Sequence, residues 1–568
     1  MTAFAATTAI AFPSAPSLPG HLVVRAAVED RPSPGPDFLT DFVRQSALIS
    51  RIQDVLADLG IYAGPADGEM TPATERSIRI YQSQVNLAVT GRATRDLLDH
   101  LETVGRANKL VGRLAETRDR NQETARQVLL TSQIADRLRS DGDSQSANPL
   151  RDPSACFAKP TPDCLLDESF ESAKAVADTK FRDWALGDVA VARAATGSTD
   201  AVYRTIRLIE DPRLVVASLR DAAVEWARLG KTAEAREAIS GMPDPMHAAA
   251  ILAAIAVAQT AHGDSEGIGM TLGELLIVAN AGKKPVETVV LLAGLAFDLH
   301  KNGAEVAGDD VLRVAVDTTH DAALEPRDRD RAIGEVAAVY AKLGQTETAR
   351  TLMSGIADPT LRRPALMALA ERSMEVGEAP ATLQDATDVE DSRYRVVALS
   401  YVAIAQVRAG DLNAARQSVD KARTDIDLID PRFTYARAFA VSRVATALAE
   451  MRGYQDAASA ADEIEDDSLR AQTLWHLASV QARDGNAASS ETRKLARRAI
   501  DDITSDIDRS WTLSRLALNS ASRGEDELAT ATFGAALAVA QEIGNSFARA
   551  TALANLAKTL VQLEASGP

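Results

Sequence analysis

Aromatic side chains make up only 4% of this 568-residue chain, and it has two cysteines. So few aromatics argue against a β-sandwich or a large α/β enzyme core and fit alanine-rich helix stacking. Basic residues are outnumbered: 62 Lys and Arg stand against 80 Asp and Glu, a formal charge of −18. An acidic chain with no basic arm is a poor match for polyanions, so no nucleic-acid partner is expected. No stretch reaches the roughly 20 uninterrupted apolar residues of a membrane span. The longest apolar run, Ala248 to Ala261, reads as the core of a helix pair. Catalytic signatures are lacking too. The histidines (His21, His100, His247, His262, His300, His320 and His476) are scattered and form no HExxH pair. There is no GxSxG, P-loop or Rossmann fingerprint, and neither cysteine has the context of a transpeptidase nucleophile. The chain is read as non-enzymatic, with no cofactor and no metal.

What the chain does have is a repeat. Glycines recur at Gly197, Gly230, Gly263, Gly303, Gly344, Gly377, Gly410, Gly453, Gly485 and Gly524, spaced 33, 33, 40, 41, 33, 33, 43, 32 and 39 residues apart. Leucine or isoleucine stands eleven residues before the glycine and alanine seven before it, as in Leu399, Ala403 and Gly410. At Gly453 the same pattern, Val441, Val444 and Ala445, is shifted by one residue. Such positions share one helical face, and glycine supplies the left-handed residue that ends the helix. A fixed period of this size is the signature of stacked helix pairs. Aspartate stands nineteen before the glycine in six units (Asp178, Asp211, Asp244, Asp358, Asp391 and Asp466), where a first helix should begin, and is read as an N-cap. Arginine stands fifteen before it at Arg182, Arg362, Arg395, Arg470 and Arg509, with Arg437 in the shifted unit. These arginines are read first as stacking residues, and in a sharper form as a ladder lining a groove for acidic peptides or carboxylates.

A large residue, a leucine, a small residue, a turn glycine and an alanine at these offsets resemble the tetratricopeptide family, over about 165–563. Its aromatic positions are mostly unmatched, and the longer units imply longer second helices. The resemblance implies a superhelical α-α solenoid of about ten helix-turn-helix repeats, presenting a groove to a protein partner. The last helix, Asn545 to Leu560, repeats the first-helix pattern without a partner and is read as a C-terminal capping helix.

A second resemblance lies over 41–100. Gln53, Leu56, Leu59-Gly60, Gly64-Pro65, Asp67-Gly68, Pro72-Ala73-Thr74, Tyr81-Gln82, Leu87, Val89, Gly91 and Thr94 occur in order. They resemble the small three-helix peptidoglycan-binding domain of bacterial cell-wall hydrolases and envelope proteins. A glycine usual in that family is replaced by Thr71, and the second Asp-Gly turn is shortened to Thr90–Thr94. The resemblance implies a peptidoglycan partner held by hydrogen bonds and an aromatic platform, with Asp67, Arg79, Tyr81 and Gln82 as candidates. Each also has a structural reading, Tyr81 in the core and Asp67 in a turn.

The expected organisation is all-α. Residues 1–40 are a disordered tail or signal remnant, and 41–100 the small domain. A charged helical spacer and linker follows at 101–154, and the solenoid occupies 155–568. An apolar run, Ala3 to Phe12, precedes the first basic residue, Arg25, so export by a signal that is missing or truncated here is expected, placing the chain in the periplasm or cell envelope. Cys156 and Cys164 stand just before the first repeat. They are read as a disulfide of an oxidising compartment worth about 2–3 kcal/mol; the alternative is two reduced thiols. The functional expectation is an envelope scaffold, bound to the wall through the small domain and to envelope proteins through the solenoid. The alternatives are a pure adaptor whose three-helix unit docks a protein, and a divergent wall hydrolase or its accessory.

Overall fold

A computed structural model describes residues 38–139, 146–148, 150–261, 263–321, 324–377 and 383–566. The tail or signal remnant expected over 1–40 lies almost wholly outside them. The described residues are helical, with no strand among them, and divide into two compact units at Thr117/Arg118. None of the described helices is long and apolar enough to cross a membrane.

The first unit holds three helices, Phe38–Asp58, Pro72–Gln84 and the start of Arg95–Thr131. Gly60 ends the first with φ +72°. Thr71 caps the second, its side chain accepting the Thr74 N–H, and Pro72 occupies the first turn, where no N–H is needed. Ile52, Leu56, Ile78, Tyr81, Leu97, Leu98 and Leu101 form the core.

The second unit is built from helix pairs. Asp178, Asp211, Asp244, Asp358, Asp391 and Asp466 all cap first helices, each carboxylate accepting a backbone N–H of the first turn. Alanines fill the seams: Ala190, Ala223, Ala256, Ala296, Ala337, Ala370 and Ala403 are fully buried. The length differences between units lie in the second helices. The short units carry helices such as Thr232–Ile239, whereas the long ones carry Ser265–Ala281, Glu305–Thr319, Leu412–Ile426 and Ser489–Asp502. The repeat glycines adopt positive φ, between +63° and +86°, except Gly453. There the left-handed residue is Arg452, at φ +62°, and Gly453 is already the N-cap of the next helix. The one-residue shift of the pattern in this unit moves the turn with it, so Gly453 is not a turn glycine.

The solenoid closes on itself. Its first helices run from Thr179–Ala195 through ten successors to Ser546–Ser566, each packed against the next, and Ser546–Ser566 packs back onto Thr179–Ala195. The last helix therefore is no cap. Its second helix is Pro162–Lys174, from the other end of the repeat region. Ser169 donates to the Ala550 carbonyl at 2.6 Å. Leu165 and Leu166 share a buried cluster with Leu553 and Leu556, and Phe181 meets Phe547 edge-on at 5.5 Å. Among the described residues the result is a ring of eleven pairs, the eleventh assembled from both ends of the repeat region. A solenoid end would leave an apolar face uncovered, and closure removes both ends. Cys156 and Cys164 form a disulfide that ties the short helix Ser154–Ala158 to the first turn of Pro162–Lys174. The spacer expected up to residue 154 is shorter than that: from Arg118 onward its chain belongs to the second unit, where Ala125, Leu129 and Ile134 are buried against Ile206, Leu208 and Val215.

Candidate functional site

In the small domain two buried glutamines organise two turns in the same way. Gln53 Oε1 accepts the Gly68 N–H at 2.9 Å, and its Nε2 lies 3.0–3.2 Å from Asp67 Oδ1, the Glu69 carbonyl, Thr74 Oγ1 and Tyr62 Oη. Gln82 Oε1 accepts the Gly91 N–H at 2.9 Å, and its Nε2 donates to Thr90 Oγ1 at 3.1 Å. Asp67 Oδ1 also accepts the Glu69 N–H, as Thr90 Oγ1 accepts the Arg92 N–H. A side-chain amide suits this task because it carries an acceptor and two donors on one rigid group. The shortened Thr90–Thr94 turn thus keeps the device of the Asp67-Gly68 turn, with threonine in the aspartate's place. Both glycines have positive φ, and a Cβ on Gly68 would stand 2.6 Å from the Ser46 carbonyl oxygen. The Glu69 N–H and the Gln53 amide hold the Asp67 carboxyl below the usual carboxylate range.

The four wall-binding candidates separate accordingly. Tyr81 is buried, its hydroxyl 2.7 Å from His100 Nδ1, and burial raises its pKa. Gln82 is buried under its turn. Asp67 and Arg79 face solvent, Arg79 paired with Glu75 at 2.8 Å. The platform expected of Tyr81 is therefore absent: its ring is needed between the helices, and Tyr62, the other tyrosine here, is buried too. The surface beside Arg79 carries Ile80, Leu87 and Val89 instead. Gln53 matched the family pattern but was not singled out; its pairing with a later Asp-Gly was the available signal.

In the ring the spaced arginines tie units together. Arg395 binds the Val389 and Glu390 carbonyls, both at 2.8 Å, and Asp425 at 2.7 Å. Arg362 binds the Ile356 carbonyl, Arg182 pairs with Glu210, and Arg470 with Asp467 and Asp502. Arg509 differs: it pairs with Asp506 on its own helix, and its Nε is buried without a partner.

First helices pack closely on one another whereas second helices do not, so the first helices form the inner layer of the ring. Position −9 relative to the turn lies on the face turned away from the second helices. In order it holds Asp188, Asp221, Ala254, Gly294, Glu335, Ala368, Tyr401, Arg443, His476 and Arg515, so its acids fall in the first five units and its bases in the last three. Desolvation raises the pKa of Asp188 and Glu335, against the pull of Lys558 and Arg331 respectively. Sequence reasoning overlooked this zoning, although reading one offset across units would have found it.

Residues 45–101 match the family model described as "Putative peptidoglycan binding domain". No curated protein matches the chain. Among solved structures, one similar chain is Ton1535 from Thermococcus onnurineus NA1, at 18% identity over 57% of this chain and 96% of that one, with a TM-score of 0.26. Another is a circular tandem repeat protein with novel repeat topology and enhanced subunit contact surfaces, at 12% identity over 92% of this chain and 98% of that one, with a TM-score of 0.17.

Proposed function

We propose that this protein is a non-enzymatic scaffold of the bacterial cell envelope, held at peptidoglycan by its three-helix domain while its ring of helix pairs receives envelope proteins. The family match over 45–101 carries the wall-binding half. The turns pinned by Gln53 and Gln82 support it, because they hold Asp67 and Thr90 rigidly at the surface. Fixed polar groups lose little freedom on binding an uncharged sugar or a peptide stem. At one offset of the inner layer Asp188, Asp221 and Glu335 stand in early units and Arg443, His476 and Arg515 in late ones, and such charged groups suit a charged protein partner. The disulfide accords with residence in the periplasm.

Co-sedimentation of the whole chain with purified peptidoglycan tests this reading. The chain should pellet, and the Asp67→Ala/Arg79→Ala double variant should pellet less. Tyr81→Phe, which keeps the core ring, should behave as the parent. A chain that stays in the supernatant refutes wall binding. A second reading then takes over, in which the small domain docks a protein through the exposed Ile80, Leu87 and Val89.

A further inference from the structure

One of the eleven helix pairs has no turn between its two helices. In the others the second helix follows the first after a short connection, as Thr199–Ile206 follows Thr179–Ala195. Such a tether keeps a second helix close when it lifts off, so it returns at high effective concentration. Pro162–Lys174 and Ser546–Ser566 have no such tether, although they make the joint that closes the ring. Side-chain contacts hold this joint: the cluster of Leu165, Leu166, Leu553 and Leu556, and the bond from Ser169 to the Ala550 carbonyl.

The two cysteines of the chain form their disulfide at this same joint. Cys164 stands in the first turn of Pro162–Lys174, where its N–H donates to the Thr161 hydroxyl. Cys156 stands in Ser154–Ala158, next to Phe157. Phe157 and both cysteines pack on the apolar cluster that holds Leu553 and Leu556. The Arg549 guanidinium of the last helix lies 5.7 Å from the centre of the Phe157 ring. The neighbouring polar contacts, Arg151 to Glu168 at 2.6 Å and the Asn148 N–H to Glu171 at 2.8 Å, reach Pro162–Lys174 and not its partner. The cross-linked segment therefore touches the last helix through Phe157. Both cysteines are partly exposed, which leaves the bond open to attack by a thiol.

We propose that this disulfide is a redox latch on ring closure. Oxidised, it holds Phe157 and the first turn of Pro162–Lys174 against the last helix. Reduced, it lets the closing pair come apart while the tethered pairs stay folded. A dithiol breaks the S–S bond by exchange: one thiolate attacks a sulfur, and the second resolves the mixed disulfide. Two electrons and two protons pass to Cys156 and Cys164, which become thiols, and the dithiol becomes a disulfide. The freed loop regains the conformational freedom that the cross-link removed. That freedom works against the untethered joint and against no other, because no other pair contains a cysteine.

Hydrogen–deuterium exchange of the full chain, oxidised and after reduction by dithiothreitol, tests the latch. Reduction should accelerate exchange in Ser546–Ser566 at least ~10-fold and leave the tethered pair Ser392–Arg408 and Leu412–Ile426 unchanged. Re-oxidation should restore the slow rate. Cys156→Ser/Cys164→Ser should match the reduced chain and ignore dithiothreitol. Phe157→Ala, with the disulfide intact, should accelerate Ser546–Ser566 without reduction. Acceleration confined to residues 154–174 overturns the proposal, because the bond is then a local staple. Equal acceleration in every pair overturns it too, because the bond then stabilises the whole fold alike. An oxidised Phe157→Ala chain whose last helix exchanges like the parent also overturns it, since the cross-linked segment then has no hold on that helix.

Discussion

Replacing Leu553 by alanine should loosen a helix at the opposite end of the repeat region. Leu553 is fully buried in the last helix, in one cluster with Leu165 and Leu166 of Pro162–Lys174. Truncating a buried leucine loses its transfer free energy and leaves a cavity, at a cost of about 3 kcal/mol. In a closed ring that cost falls on both neighbours of the last helix. Amide exchange through local opening should then accelerate about 100-fold in Pro162–Lys174 as well as in Asp506–Ala521. Ser169 and Ala550, which are bonded across this junction, stand 381 positions apart, so no local effect along the chain can carry the change. Hydrogen–deuterium exchange with peptide-level readout makes the measurement. In an open solenoid the last helix would touch only the preceding pair, and acceleration would stay within 506–566. That outcome refutes ring closure.

Other perturbations test other joints. Reducing Cys156–Cys164, or changing both to serine, should cost about 2.5 kcal/mol, as expected for so short a loop, and lower the urea midpoint; an unchanged midpoint counts against a stabilising staple. Arg452→Gly should stabilise the ring by about 0.5–1 kcal/mol, since arginine holds a left-handed conformation there, its side chain is exposed, and Asp484, its partner at 3.3 Å, keeps Tyr454 and Arg483; a lower melting temperature would contradict this. Glu450, held by His476 and by Arg483 at 3.0 Å, has its pKa lowered from 4.5 to about 2. A depressed carboxylate stabilises the fold above its unfolded pKa, so roughly 3 kcal/mol should be lost as pH falls from about 4.5 towards 2. Glu450→Gln should flatten the stability profile across that window, and an unchanged acid limb would exclude the pair as its source.

The local features of the fold were legible because their causes are local. An aspartate nineteen residues before a glycine caps a helix wherever it occurs, and six of them do so. Unit length was legible in the glycine spacing, since extra residues lengthen second helices. Closure depends on two segments far apart, so neither reveals it alone. The clue was a pair of unmatched helices: Ser546–Ser566 is the last described helix and has first-helix character, and Pro162–Lys174 precedes the first complete pair. Taken together they make one unit. In the small domain the helices were legible from their apolar spacing. The burial of Tyr81 and Gln82 was not, because pattern alone does not say whether a polar aromatic or an amide turns toward solvent or toward a turn that must be held.

Recurrence also decides where binding information resides. A residue present in every unit is explained by what every unit must do, which is stack. Arg362 and Arg395 meet that demand by binding carbonyls within the ring. Arg509 occupies the same offset and pairs instead with Asp506 on its own helix. Position −9 is the contrary case, where no single residue type recurs and the charged residues are acids in the first five units and bases in the last three. Stacking does not demand a given residue there, so that face can vary from unit to unit where the recurring positions cannot.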